Sequence, residues 1–95
     1  MKIDTNKFDF SKAQCQTTKD DVLEIAHTYN EMVTVPINSY EDFINCLIDE
    51  LVTVHEDIIA LGDEIDVHHS SMRFADILMI FHLNKFVEGA MTFEK

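Results

Sequence analysis

Residues 40–65 read YEDFINCLIDELVTVHEDIIALGDEI, and their pattern decides the fold. Tyr40, Ile44, Leu47, Leu51, Val54, Ile58, Leu61 and Ile65 follow one another at alternating steps of four and three, a helical stripe in heptad register. Phe43, Ile48, Val52 and Ile59 widen that stripe. The width predicts a helix packed on two sides, as in a bundle, rather than a narrow two-stranded seam. Ser39 with Asp42 three residues on supplies the start, and Gly62 supplies the stop, so the helix is expected over about residues 39–62.

Working outward, Thr18 followed by Asp21 resembles a capping box, and Asp20 and Asp21 suit the positive end of a helix. Val22, Ile25, Ala26, Tyr29, Met32 and Val33 then repeat at three and four, predicting a helix over about residues 18–34. Pro36 pushes Val35 out of the α region and ends it. On the other side, Val67-His68-His69-Ser70-Ser71 reads as a connection. A third helix is expected over about residues 71–88, with Gly89 after it. Its stretch Phe74 to Leu83 is apolar nearly all round, so it should be buried on most sides; a central strand over Ile77 to Leu83 competes, but the Met and Leu content favours helix. Residues 1–17 form an arm in which Phe8-Asp9-Phe10 alternates with period two. It suits either a short extended segment, Lys7-Phe8-Asp9-Phe10 pairing with Ala90-Met91-Thr92-Phe93, or an arm whose aromatics plug a neighbouring surface.

The composition agrees with a mainly α fold, a small bundle of about three helices to which a short two-stranded pairing of the termini can be added. Ninety-five residues suit a single domain over 1–95, with 18–95 as its helical body. Two Gly and one Pro leave few turns, and 46% hydrophobic residues exceed what a disordered acidic tail carries. No apolar run is long enough to span a membrane, and Met1-Lys2-Ile3-Asp4 opens no signal-peptide core, so the cytoplasm is the expected compartment. Cys15 and Cys46 lack CxxC partners; reduced thiols are expected, although one disulfide between them stays open. Three helices with this much apolar perimeter should also self-associate, most simply as a homodimer.

The distribution of charge is more informative than its total of −11. From Asp20 to Met72 there is no Lys or Arg, while that segment holds thirteen acids. Asp42, Asp49, Glu56 and Asp63 form a row at seven-residue steps, and Glu50, Asp57 and Glu64 form a second. A solubilising face normally interleaves Glu with Lys at i,i+4, and this one never does. Asp63 and Glu64 would further lie at the negative end of the helix. These seven residues are therefore the candidate partner-binding set. The alternative is a solvated face with no partner. Excess acid excludes direct binding to nucleic acid or anionic lipid, both of which require a basic surface. It suits a basic groove on another protein. Tyr40 to Asp66 carries nine acids along about 40 Å, where duplex DNA carries about 24 charges, so two aligned copies would approach DNA in density.

Signs of chemistry are sparse. Glu24-Ile25-Ala26-His27 is one E-x-x-H, whereas a di-iron bundle needs two. His27 alone suits an exposed position. Glu64, His68 and His69 suit no more than an adventitious metal. Neither cysteine has a neighbouring His, and no Ser sits in a G-x-S-x-G turn. No catalytic residue, metal site or cofactor is assigned on this basis. Asp20-Asp21-Val22-Leu23-Glu24 and Glu50-Leu51-Val52-Thr53 resemble the E-E-x-x-E and E-x-x-D segments of all-α nucleoside-triphosphate pyrophosphatases of the MazG type. That resemblance covers about a tenth of the chain and implies Mg²⁺ held between facing helices. Thr53 stands where the pattern wants an acid, and Arg73 is the sole arginine.

The leading expectation is a non-enzymatic acidic protein that mimics nucleic acid on a basic nucleic-acid-binding protein: a nuclease, a restriction or CRISPR-type complex, or a nucleoid protein. In size, acidity and lack of chemistry the chain resembles, as a class, small phage anti-defence inhibitors and immunity proteins. The alternative is the Mg²⁺-dependent pyrophosphatase.

Overall fold

The structure, a computed structural model, describes residues 1–32, 36–62 and 64–93, and only the backbone at residues 65 and 66. The elements are β1 (Lys2–Ile3), a 3-10 turn (Thr5–Lys7), α1 (Thr18–Glu31), α2 (Tyr40–Ala60), α3 (Glu64–Asn84) and β2 (Met91–Thr92). The mainly helical bundle and the pairing of the termini are as the sequence predicts. The strands are antiparallel, with Lys2 opposite Thr92 and Ile3 opposite Met91. The amino-terminal partner is thus residues 2–3 rather than 7–10. Lys7 closes the 3-10 turn, and Phe8 turns inward against the core instead of joining a ladder.

α3 is the central helix. It packs against α1 and α2, while α1 and α2 approach each other less closely and leave a cleft between them. An aromatic chain runs through the core. Tyr29 meets Phe43 edge-on at 4.9 Å between centroids, Phe43 meets Phe81 at 5.0 Å, and Phe81 meets Phe8 at 5.7 Å. Edge-to-face pairs of this kind add about 0.5–1.5 kcal/mol each beyond area burial. They link all three helices and the amino-terminal segment. Val22, Ala26, Leu47, Ile77 and Ile80 fill the space around them.

Several boundaries move, each for a local reason. α2 starts as predicted: the Ser39 hydroxyl accepts from the Asp42 backbone N–H at 3.1 Å. It ends at Ala60, with Gly62 at φ +80° just beyond, a conformation that favours glycine. α3 then begins at Glu64, seven residues before the expected start, so Val67 to Ser71 is helix and not a connection. Ser70 is buried inside it and donates to the Val67 carbonyl at 3.0 Å, a bond available to a mid-helix serine. α3 ends at Asn84 instead of Glu88, where hydrogen bonds from Val87 to Asn84 and from Ala90 to Val87 fold the chain into turns.

The capping box expected at Thr18 is absent. Thr17 occupies the N-cap position without a side-chain bond, and the buried Thr18 hydroxyl donates to Asp76 instead. Met32 is exposed, while the predicted stripe members Val22, Ala26 and Tyr29 are buried. Val33 and the Val35 half of the Val35-Pro36 stop lie outside the described residues.

Three side chains strap residues 1–17 onto the body. The Asn30 amide accepts from the Ile3 N–H and donates to the Ile3 carbonyl, both at 2.8 Å. Asn84 treats Asp9 the same way, at 2.7 and 3.0 Å. Each amide acts like one rung of a neighbouring strand. Asp76, at 6% exposure, accepts from the Gln14 and Cys15 backbone N–H groups and from Thr18. The segment is therefore integrated with the core, and Phe8 plugs its own domain rather than a neighbour.

Candidate functional site

α2 explains where the acids stand. At 3.6 residues per turn its core-facing direction is set by Phe43, Leu47 and Leu51. Asp42, Asp49 and Glu56 lie about half a turn away, pointing from the body, and Glu50 and Asp57 lie between that row and the α1 side. All five are exposed. Asp42 also serves locally, accepting from the Asn38 N–H at 3.3 Å.

The remaining two predicted residues leave the rows. Asp63 lies outside the described residues. Glu64 is exposed, but it opens α3, where the positive end of the helix dipole favours an acid. The expected penalty at a helix C-terminus therefore does not apply to Glu64, and the acidic helix is shorter than predicted. α2 carries six acids over 21 residues, about 31 Å, against about 18 charges on duplex DNA of that length.

Among the described residues the one ion pair is between Arg73 and Asp21, with Nη2 3.0 Å from Oδ1 and Nε 3.3 Å from Oδ2. No acid of α2 has a cationic partner there. Two lysines lie over rings instead: Lys85 Nζ is 4.6 Å from the Tyr40 centroid, and Lys19 Nζ is 5.6 Å from that of Phe10.

The structure also brings together residues that sequence reasoning treated separately. A cleft of about 280 Å³ is lined by Asp21, Glu24 and Tyr29 of α1, Glu50 of α2, and Arg73 and Phe74 of α3. The two segments of the pyrophosphatase-like resemblance thus face one cleft. Even so, the described residues contain no group of three His, Cys, Asp or Glu side chains spaced to hold a metal ion. Tyr29 is 4% exposed and its hydroxyl has no hydrogen-bond partner among the described residues. Leaving such a group unsatisfied costs about 1–3 kcal/mol. Burial holds its phenol well above the ordinary tyrosine range, and the nearby Glu50 carboxylate and Cys46 raise it further.

A second surface is apolar. Ile48, Leu51, Val52, His55, Phe74 and Leu78 line a groove of about 210 Å³ between α2 and α3. Ile48, Val52, Ile59 and Met72 are exposed on this hairpin, Ile59 and Met72 each at 50%. His55 Nδ1 lies 2.8 Å from the Ser70 hydroxyl and ties the hairpin together. Cys15 and Cys46 are free thiols, Cys46 packed as a small hydrophobe against the core. His27 is exposed, as its sequence context suggests. Among the described residues no helix is long and apolar enough to cross a membrane.

Sequence reasoning missed Asp76, Asn84 and the Tyr29 hydroxyl. Asp76 had a signal: it is the one charge in the apolar run from Phe74 to Leu83, where an acid must have partners if buried. Tyr29 had none beyond its place in the stripe.

No protein-family model matches the chain, and neither do any curated protein or solved structure.

Proposed function

We propose that the protein is a non-enzymatic acidic binding protein that occupies the basic groove of a nucleic-acid-binding protein, in competition with the nucleic acid. One observation carries this reading: the acids of α2 are exposed and without cationic partners among the described residues, on a helix that leaves itself no i,i+4 cation. A nuclease, a restriction or CRISPR-type complex or a nucleoid protein supplies such a groove, and an inhibitor of phage anti-defence type or an immunity protein is the corresponding class. One chain supplies about a third of the charge density of DNA along α2; a homodimer aligning two copies supplies about two thirds. The exposed apolar side chains around the α2–α3 groove give that homodimer a face.

The test replaces Asp49, Glu50, Glu56 and Asp57 together by Asn and Gln. A panel of nucleases and nucleoid proteins, each bound to a labelled duplex, is titrated with both forms. The native protein should displace the duplex with a rate that falls steeply with salt, and the fourfold variant should not. Equal displacement with an unchanged salt slope would reduce the rows to a solvated face.

A second reading has one observation in its favour, the convergence of Asp21, Glu24 and Glu50 on the cleft. It is Mg²⁺-dependent hydrolysis of nucleoside triphosphates. Calorimetric titration with Mg²⁺ and a hydrolysis assay over a nucleotide panel separate the two readings; saturable Mg²⁺ binding with turnover selects the second.

A further inference from the structure

The cleft between the three helices has more hydrogen-bond acceptors than donors. Arg73 is engaged by Asp21, so Glu24 and Glu50 stand in it without a cation among the described residues. The Tyr29 hydroxyl, buried beside the Glu50 carboxylate and without a hydrogen bond of good geometry among the described residues, belongs to the same lining. Ile25, Leu51 and Phe74 supply apolar walls. A complementary ligand must be cationic, donate several hydrogen bonds and carry an apolar or flat body. Its excess of carboxylates excludes a phosphate or another anion. At about 280 Å³ the cleft has room for one side chain.

The geometry points to a guanidinium receptor: the cleft takes one arginine side chain of the basic partner, held by Glu24 and Glu50 with Tyr29 beneath. This rests on the reading of a basic protein partner and adds where one of its residues is read. Arginine fits better than lysine for three reasons. Its planar fork offers five donors to acceptors that lie on different walls, it is more weakly hydrated than an ammonium, and it stacks on an aromatic face such as Phe74. The Tyr29 hydroxyl is covered, so the guanidinium meets Glu24 and Glu50 first and reaches the phenol oxygen only as the wall gives way. Glu50 should therefore matter more than the Tyr29 hydroxyl.

The experiment titrates the full chain, by NMR, with N-acetyl-arginine methylamide and in parallel with its citrulline and lysine counterparts and with Mg²⁺. Saturable shifts at the amides of Thr28, Tyr29, Glu50 and Phe74 are expected with the arginine compound, weaker ones with lysine and none with neutral citrulline. Glu50→Gln should weaken the arginine compound by about tenfold and Tyr29→Phe by about threefold, with both folds intact. Absence of saturation, equal binding of citrulline, or displacement of the arginine compound by Mg²⁺ would each overturn the assignment. The variant D49N/E56Q/D57N keeps Glu24 and Glu50, and it separates the cleft from the acidic rows. If it loses displacement of a duplex from a nucleoid protein while the arginine compound fails to bind the native chain, the cleft is wrong and the rows stand. If it displaces the duplex as before while the arginine compound binds, the rows are wrong and the guanidinium site stands.

Discussion

Asp76→Ala should be the most damaging single polar-to-alanine change in the molecule. The carboxylate is 6% exposed and accepts from the Gln14 N–H at 3.0 Å, the Cys15 N–H at 3.1 Å and the Thr18 hydroxyl. Truncation strands three donors. A fully buried stranded donor costs about 1–3 kcal/mol, and two of these are only partly buried, so about 3–4 kcal/mol is expected in all. That is a large share of the roughly 5–15 kcal/mol that holds a domain together. It corresponds to a fall in Tm on the order of 15 °C for a chain of this size. Thermal and urea unfolding followed by circular dichroism give the number. The pH dependence gives a second, independent reading. Burial works to raise the Asp76 pKa, but the bonds from Thr18, Cys15 and Gln14 together outweigh it, and the folded-state value lies below the ordinary one. Such a group stabilises the fold fully above its unfolded pKa of about 3.9 and loses that contribution as pH falls towards its folded value. Asp76→Asn should flatten this part of the acid limb. A loss below about 1 kcal/mol for Asp76→Ala, with an unchanged acid limb, would refute the reasoning.

Other consequences are as direct. Tyr29→Phe removes a buried hydroxyl that has no partner among the described residues and should stabilise the fold by about 1 kcal/mol, read as a higher urea midpoint at unchanged slope. Asn84→Ala loses the two-way bridge to Asp9 and the bond to the Ile80 carbonyl, and should cost about 2–3 kcal/mol while raising amide exchange around Phe8. Gly62→Ala meets no atom of the described residues but forces a side chain into φ +80°, and should cost about 1 kcal/mol in thermal unfolding. Light scattering at tens of micromolar should return twice the chain mass, and Val52→Glu, in the α2–α3 groove, should return the monomer; a monomeric native protein would remove the homodimer and its doubled charge.

The helices were legible wherever one face carried a stripe with punctuation at its ends. Ser39 and Gly62 mark α2 because each has a specific backbone task there. The start of α3 was illegible for an opposite reason. Ser70 and Ser71 carry the residue type of a cap, yet a serine can also return its proton to a carbonyl within the helix, and Ser70 does so. Local chemistry allows both, and the packing of His55 against Ser70 favours helix. The strap of residues 1–17 was beyond reach, since Asn30, Asn84 and Asp76 act on backbone groups tens of positions away. The acidic rows were readable because a seven-residue period survives any bundle geometry. Their end was not, because it depended on where α2 stops.

The positions four residues after Asp49, Glu50, Glu56 and Asp57 argue hardest against simple solvation. Asp49 is followed by Thr53, Glu50 by Val54, Glu56 by Ala60 and Asp57 by Leu61. All four positions are exposed, so a lysine would fit each of them and add a few tenths of a kcal/mol to the helix. Thr53 instead turns its hydroxyl back to the Asp49 carbonyl at 2.9 Å, and Leu61 stands 84% exposed. The same half of α2 has no fully buried residue: burial ends at Leu47, and Leu51, His55 and Ile58 are only half-buried. Like charges therefore repel where packing is thinnest, and local cations would relieve them there most cheaply. A soluble face gains nothing from omitting those cations. A surface whose counter-charges arrive on another molecule does gain, because each lysine placed beside an acid would weaken that acid's pull on an incoming arginine. On the proposed reading, the thin packing of the α2–α3 hairpin and its uninterrupted acidity are one feature, with the partner completing both.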